Sequence, residues 1–505
     1  MRLIDLMAQT ALATQLTSAD GSHVNDNRAD IIVAGLSADS RTIRPGFLFA
    51  AFPGTKNKGE NYIDDAIQNG AVAILAQPNT ELPKSAGGVI LIEDPNPRRR
   101  FARMASKFYG LQPQTTVAVS GTNGKTSVAS FCRQIWAELG RSSASVGTLG
   151  VEASQLDWAQ PATGYNLTTP DPVTLHQELA DLAKAGVTHL AMEASSHGLE
   201  QYRLDGVQLR AAAFTNLTRD HLDYHGSMGA YFNAKARLYT EVLPPGSLVV
   251  INADSDYSKR LIDLCETYNH EVLLYGTKGR DITLVSQKPT ARGQKLVINV
   301  FGDKYTVEVA VAGTFQAGNI LCALGLTLGM EEDPSRYPLY IQALEKLVGV
   351  RGRLEHVATH ASGAPIYVDY AHTPDALENV LTALRPHTRN QLHVVFGCGG
   401  DRDPGKRPLM GGIAAKLADR VIVTDDNPRS ENPKTIRQQI LTAAPKAIDI
   451  GDRRQAIENA VSNLKAGDVL VVAGKGHEQG QIIDRVTHPF DDANEVRLAL
   501  KRVKA

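Results

Sequence analysis

The run Thr115-Thr116-Val117-Ala118-Val119-Ser120-Gly121-Thr122-Asn123-Gly124-Lys125-Thr126-Ser127 joins a strand, a glycine loop and the start of a helix. Thr115 to Val119 is apolar and β-branched, as a buried strand needs. From Val128 to Leu139 apolar residues recur at helical spacing, and Gly140 stands as a C-cap. That context is what a phosphate loop requires. Glycines let backbone N–H groups turn inward, the helix start adds its positive end, and Lys125 can reach the β- and γ-phosphates. Thr126 sets a hydroxyl where Mg²⁺ would sit. The spacing departs from the general Walker pattern, because Val119 occupies the place of the first glycine.

Working outward, a chain of 505 residues is too long for one core, so two to four domains are expected. Apolar content of 43% and charged content of 21% are those of an ordinary globular protein. Lys plus Arg number 53 against 54 Asp plus Glu, a formal charge of −1. No global basic field therefore points to nucleic acid or an anionic membrane. Cys132, Cys265, Cys322 and Cys398 lie far apart and suggest neither a metal site nor a disulfide framework. With no signal-type N-terminus and no run long enough to span a bilayer, a cytoplasmic location is expected, without membrane insertion.

The first domain is expected over residues 1–113, as a small α/β unit. Gly46–Phe52, Ala71–Leu75 and Gly88–Ile92 read as strands and Tyr62–Gly70 as a helix. The helix Pro97–Tyr109 carries Arg98, Arg99, Arg100 and Arg103, and a solvated basic face is its expected state. Asp39-Ser40-Arg41 and the loop Pro53-Gly54-Thr55-Lys56-Asn57 offer contacts to an anion.

A second domain is expected over 114–347. The strand Thr188–Met192 ends in Glu193, followed by Ala194-Ser195-Ser196-His197-Gly198. A carboxylate at the carboxyl end of a neighbouring strand is where phosphate-loop enzymes hold Mg²⁺. The strand Ala211–Leu217 delivers Thr218-Arg219-Asp220-His221-Leu222-Asp223-Tyr224-His225, whose density of His and Asp is more than packing needs. Tyr231–Tyr239 is an amphipathic helix carrying Lys235, by itself a surface lysine. Residues 269–311 alternate apolar and polar and predict antiparallel strands, and Gly313–Leu328 predicts a helix. The third domain, 348–505, shows four strands running into loops rich in glycine or charge: Tyr370–His372, Gly397–Asp403, Asp425–Arg429 and Gly474–Glu478. Strands separated by helices, with polar loops at one end, predict an open parallel sheet bearing a ligand site at its carboxyl edge.

Gly121–Ser127, Met192–Gly198, Thr215–His225, Val368–Pro374, Phe396–Pro408, Asp425–Arg429 and Ala473–Glu478 together resemble the Mur ligase family, in family order and over nearly the whole chain. The resemblance implies an α/β enzyme of three domains, with a central ATPase-type sheet between an N-terminal α/β domain and a C-terminal Rossmann-like one. It implies ATP and Mg²⁺ as cofactors. It also implies a cell-wall reaction in which meso-diaminopimelate is added to UDP-N-acetylmuramoyl-L-alanyl-D-glutamate through an acyl phosphate, by a monomer. The rivals are the same ligase using L-lysine, a folylpolyglutamate-type ligase, and a protein that uses ATP only as a switch.

By matching position, the resemblance assigns Gly121, Thr122, Asn123, Gly124, Lys125, Thr126, Ser127, Asn319, Arg353 and Asp369 to ATP. Thr126, Glu193, His221 and Lys235 are assigned to metal, with Lys235 carbamylated (N6-carboxylysine). Lys125, His221, Lys235 and Arg353 form the catalytic group. Ala38, Ser40, Thr55, Lys56, Asn57, Thr168, Thr169, Ser195, Gln201 and Arg203 match the contacts to the UDP-linked dipeptide. Arg402, Asp426, Asn427, Pro428, Arg429, Gly474 and Glu478 match the pocket of the incoming amino acid. Ala38 replaces a frequent leucine, Lys58-Gly59-Glu60 a commoner Asp-Gly-His or Asp-Gly-Arg, and Leu167 a frequent asparagine.

Overall fold

A computed structural model describes residues 1–7, 16–18, 31–54, 58–83, 86–154, 156, 158, 167–290 and 293–504. Thr55, Lys56 and Asn57 therefore lie outside the described residues. The chain forms two compact units, one of residues 1–125, 140–251 and 255–272, the other of 126–139, 252–254 and 273–505.

The first unit contains a five-stranded sheet in the order Leu16–Ser18, Ile90–Glu93, Ala73–Ala76, Phe47–Ala50, Gly35–Ser37. Its pairs are parallel except the first. Leu48, Leu75 and Ile92 point to one face, and Phe49, Ile74 and Leu91 to the other, so apolar clusters form on both. The helix Pro97–Tyr109 starts where the Asn96 side chain accepts the Arg99 N–H. Its basic run is not the solvated face expected from composition. Arg100 is 3% exposed and donates to Asp94 at 2.6 Å. Arg99 donates to the buried Asp205 at 3.0 Å, while Arg98 lies 4.6 Å over the Phe52 ring. The arginines tie this helix to residues on either side of it in sequence, which a count of charges could not reveal.

The same unit holds the parallel strands Leu248–Asn252, Leu209–Phe214, Thr115–Ser120, His189–Glu193 and Ser143–Gly147 in that spatial order, closed by the antiparallel strand Gly150–Ala153. Val117, Val119, Leu190 and Met192 are fully buried, which explains why these segments read as continuous apolar runs. Behind them, His176 on the helix Pro172–Lys184 is 1% exposed. Its Nε2 meets the Asp205 carbonyl at 3.2 Å, and its Nδ1 has no partner among the described residues. Burial lowers its pKa to about 4. The unfolded chain therefore binds this proton first, and stability falls as pH drops from about 6.5 towards 4. We expect a loss of about 2 kcal/mol from this group between pH 7.5 and 5. Unfolding midpoints across that range should decline less steeply in His176→Leu, and an equal slope would refute the assignment.

In the second unit, Glu271–Gly276 and Ile282–Pro289 are followed by Gln294–Val300 and Asp303–Val309. The last three pair antiparallel as expected, but Tyr275 and Gly276 pair parallel with Ile282 and Thr283. The departure is short because the chain bends after Gly276 around Asp254. The Asp254 carboxylate accepts from the backbone of Thr277 and Lys278 at 2.7 and 2.9 Å.

A six-stranded sheet follows, ordered Glu355–Thr359, Pro365–Asp369, Val469–Ala473, Leu392–Phe396, Arg420–Val423, Ile448–Asp449. Only the Glu355–Thr359 edge is antiparallel. Helices cover both faces over separate apolar clusters. The strand order reverses where Val469–Ala473 inserts between two earlier strands. At such a switch point the loops on either side diverge and leave a crevice at the carboxyl ends. All four cysteines are buried free thiols.

Candidate active site

Three groups of expected residues are brought together within the two units. The first is the glycine loop. Gly121 has φ +147, and a Cβ there would lie 1.9 Å from Thr215 Oγ1, so only glycine lets the loop pass. Asn216 fixes the loop from the next strand end. Its carbonyl accepts Thr122 N–H and its Oδ1 accepts Asn123 N–H, both at 2.9 Å. Lys125 Nζ donates to the carbonyls of Gly121 and Thr122 at 3.0 and 2.8 Å. Lys235 Nζ reaches the same Gly121 carbonyl at 2.7 Å and lies 4.6 Å over the Tyr231 ring. Lys235 is only 2% exposed, so it is not the surface lysine that its sequence alone suggests. Burial, then the Lys125 charge, holds its pKa well below the usual lysine range.

Glu193 is 2% exposed and accepts from Thr148 N at 2.7 Å and Thr148 Oγ1 at 3.2 Å. A buried carboxylate whose donors among the described residues are neutral suits a divalent cation. Nothing in the sequence marks Thr148, which lies in the turn of a hairpin with no motif of its own. His221 adopts φ +52, pairs with Asp220 at 3.4 Å and meets the His197 ring edge-on at 4.9 Å. Among the described residues no three His, Cys, Asp or Glu side chains close around one point. Mg²⁺ here would thus need phosphate oxygens and water beside the protein donors, its usual habit.

The second group gathers the threonine pair. Thr168 Oγ1 meets Thr148 Oγ1 at 3.1 Å, and Thr169 Oγ1 donates to the Glu193 carbonyl at 2.9 Å. Ser195 donates to Thr169 Oγ1 at 3.0 Å, and Arg203 donates to the Thr169 carbonyl at 2.8 Å and to Gln201 Oε1 at 2.7 Å. Ser40 is buried beside Asn69, which donates to its carbonyl at 3.0 Å, and Ala38 is exposed.

The third group lies in the second unit. Arg353 reaches Thr126 Oγ1 at 3.4 Å and sits 4.6 Å over the Tyr370 ring. Asp369 accepts from Leu354 and Ala371 N–H groups at 2.7 Å each, and burial raises its pKa to about 6 despite Arg353 and those donors. Asn319 bonds Gln316 at 2.9 Å, and Gln316 donates to the Arg353 carbonyl at 3.4 Å. Gln316 is a further link that sequence did not reveal.

At the carboxyl edge of the six-stranded sheet, beyond Arg420–Val423, Asp426 and Asn427 are 8% and 4% exposed. Pro428 is buried and Arg429 donates to the Gly400 carbonyl at 2.8 Å. Asp426 Oδ2 has no partner among the described residues. Gly474 has φ +118, and a Cβ there would crowd that oxygen at 2.8 Å. Asn427 donates to Glu478 at 2.9 Å. Arg402 is exposed on the neighbouring loop. These loops thus offer carboxylates and an arginine, the charges a zwitterion needs.

The chain matches the family descriptions "Mur ligase family, catalytic domain" over residues 32–109, "Mur ligase middle domain" over 119–327 and "Mur ligase, glutamate ligase domain" over 352–476. It is 52% identical over 477 residues to a UDP-N-acetylmuramoyl-L-alanyl-D-glutamate--2,6-diaminopimelate ligase of Caulobacter vibrioides, covering 94% of this chain and 97% of that one. The Rhizobium meliloti protein of the same name is 52% identical over 481 residues, with 95% and 96% covered. A solved structure of a UDP-N-acetylmuramoyl-L-alanyl-D-glutamate--2,6-diaminopimelate ligase superposes with a TM-score of 0.67 at 34% identity, over 93% of this chain and 95% of that one.

Proposed function

The chain belongs to the Mur ligase family, and from that premise we infer that it is an ATP-dependent ligase adding meso-diaminopimelate to UDP-N-acetylmuramoyl-L-alanyl-D-glutamate in peptidoglycan synthesis. The relatives compared carry the diaminopimelate name, which gives the L-lysine alternative no support. The structural observation that carries the reading is the glycine loop, where Lys125 and Lys235 converge on one carbonyl oxygen. No described helix is long and apolar enough to cross a membrane. A cytoplasmic monomer divided at residues 1–113, 114–347 and 348–505 completes the proposal.

The reaction has two steps. A D-glutamate carboxylate oxygen attacks the γ-phosphorus of ATP, the bond to the β-phosphate oxygen breaks, and ADP leaves an acyl phosphate. The amine of diaminopimelate then attacks the acyl carbon. The tetrahedral intermediate collapses with loss of phosphate, the nitrogen releases a proton, and an amide remains. Negative charge gathers on phosphoryl oxygens in the first step and on the carbonyl oxygen in the second, so fixed cations supply most of the catalysis. Lys125 would leave the loop carbonyls for the β- and γ-phosphates, and Arg353 would meet the nucleotide beside the Thr126 hydroxyl. Thr126, Glu193, His221 and a carbamylated Lys235 would hold Mg²⁺, which neutralises phosphate charge when bound. Thr168, Thr169, Ser195, Gln201 and Arg203 would orient the dipeptide, with Ala38, Ser40 and Thr55-Lys56-Asn57 towards the uridine nucleotide.

The test is phosphate release, expected only when ATP, Mg²⁺, the UDP-dipeptide and diaminopimelate are all present. Release with ATP alone would favour a switch.

Carbamylation of Lys235 is a second expected result. The step needs a neutral amine: nitrogen attacks CO₂, a C–N bond forms, and a proton goes to solvent. Burial and then the nearby Lys125 charge shift the amine towards that form. After labelling with ¹³C-bicarbonate, a carbamate resonance should appear in the wild type and vanish in Lys235→Arg. Its absence from the Mg²⁺-loaded wild type at neutral pH would remove the assignment.

A further inference from the structure

Lys475 follows the strand Val469–Ala473, and its side chain is 0% exposed. Its ammonium donates to the Gly480 carbonyl at 2.6 Å, Asn427 Oδ1 at 2.8 Å and Glu478 Oε2 at 3.4 Å. Three donors are thus spent inside the protein, leaving none for a ligand. Asn427 Oδ1 also accepts Ile482 N–H at 2.9 Å. With two donors on the oxygen, the amide nitrogen must face the other way, where it donates to Glu478 Oε2 at 2.9 Å. Glu478 Oε2 is therefore used twice, and the other oxygen of this carboxylate, whose side chain is 33% exposed, has no hydrogen bond among the described residues. Asp426 Oδ2 is likewise without a partner among them.

We propose that Lys475 is a positioning residue for acceptor choice: it presets Asn427 and Glu478 so that Glu478 Oε1 and Asp426 Oδ2 receive the distal ammonium of a diamino acid. It touches no substrate. Two neighbouring carboxylates repel each other, and the buried Lys475 ammonium beside them offsets that repulsion while its own donors stay inside the protein. A neutral side chain there would leave Asn427 Oδ1 held by the Ile482 N–H alone and Glu478 Oε2 without its cation. The inference rests on the acceptor reading given above.

The experiment compares meso-diaminopimelate with L-2-aminopimelate, which keeps the attacking amine and the distal carboxylate but lacks the distal amine. Wild-type enzyme is expected to prefer diaminopimelate by roughly 100-fold in kcat/KM. Lys475→Met keeps the length of the stem and should bring that ratio to within about fivefold, chiefly through the KM of diaminopimelate. Loss of folded protein lowers both substrates alike and moves no ratio, so it is an unchanged ratio in a methionine variant shown to be folded that overturns the proposal. Lys475→Gln can still donate to Asn427 Oδ1 and is expected to recover part of the ratio; it carries the same test if the methionine variant does not fold. Should neither variant fold, the wild type decides alone: equal use of the two substrates overturns the proposal. Failure of the wild type to use diaminopimelate at all would instead reject the acceptor reading itself.

Discussion

Lys125→Ala is expected to lower phosphate release by about 10³-fold or more while the protein stays folded. The side chain carries its charge over the loop, donating to the Gly121 and Thr122 carbonyls at 3.0 and 2.8 Å. Those bonds hold the ammonium next to where the phosphates would lie, so little reorganisation is needed when ATP binds. Removing it costs the fold little, because the loop is fixed independently by Asn216 and Thr215. Thr215 Oγ1 donates to the Asn123 carbonyl at 2.6 Å, and Asn216 takes two loop N–H groups. A second consequence separates this role from a general loss. Without the Lys125 charge nearby, the amine of Lys235 loses one source of its depression, so the carbamate signal should weaken as well. Steady-state phosphate release and the unfolding midpoint, measured on the same preparation, decide. Turnover near the wild-type rate would remove Lys125 from the γ-phosphate site.

Arg429→Ala is expected to raise the KM for meso-diaminopimelate by tens to thousands-fold, with ATP and UDP-dipeptide KM values nearly unchanged. The distal carboxylate distinguishes diaminopimelate from L-lysine, and a planar guanidinium can hold it with two N–H groups. Losing a desolvated charge-assisted pair costs about 2–5 kcal/mol. The backbone of Arg429 is held in the left-handed region at φ +52, where a non-glycine residue is strained. Two bonds keep it there, its N–H to the Ile482 carbonyl at 3.0 Å and its own carbonyl accepting Asp484 N–H at 2.9 Å. Buried Pro428 fixes the turn on the other side. One guanidinium N–H is spent on the Gly400 carbonyl, which aims the group without neutralising it. Equal turnover of L-lysine and diaminopimelate by the wild type would overturn the arginine argument.

Much of this chemistry was legible before folding, for one reason: it sits at strand ends. A buried strand is a run of apolar residues, so a Glu, Asp or glycine cluster that interrupts the run stands out. Glu193, Asp369, Asp426 and Gly474 all stand out in that way, and the structure places each at or just beyond the carboxyl end of a parallel strand. The individual roles of the site residues came from resemblance, since no spacing tells a uridine contact from a dipeptide contact. Alternation over residues 269–311 predicts the strands that the structure shows, but not the parallel pairing of Tyr275 and Gly276. Alternation gives the faces of a strand and says nothing about the direction of its neighbour.

What the sequence determined by itself is local: a glycine loop between a strand and a helix, polar strand ends, and the alternation of strands and helices that makes an open parallel sheet. These depend on backbone sterics and on periodicities of a few residues, which are complete within each segment. Tertiary structure alone decided which distant groups complete one another. Thr148 reaches Glu193 across 45 positions and Lys475 reaches Asn427 across 48. Burial turned Lys235 from an ordinary helix lysine into an amine with a depressed pKa, and turned the arginines of Pro97–Tyr109 from a solvated stripe into ties to Asp94 and Asp205. A side chain's protonation and partners follow from the dielectric and the charges around it, and those are set only when remote segments pack together.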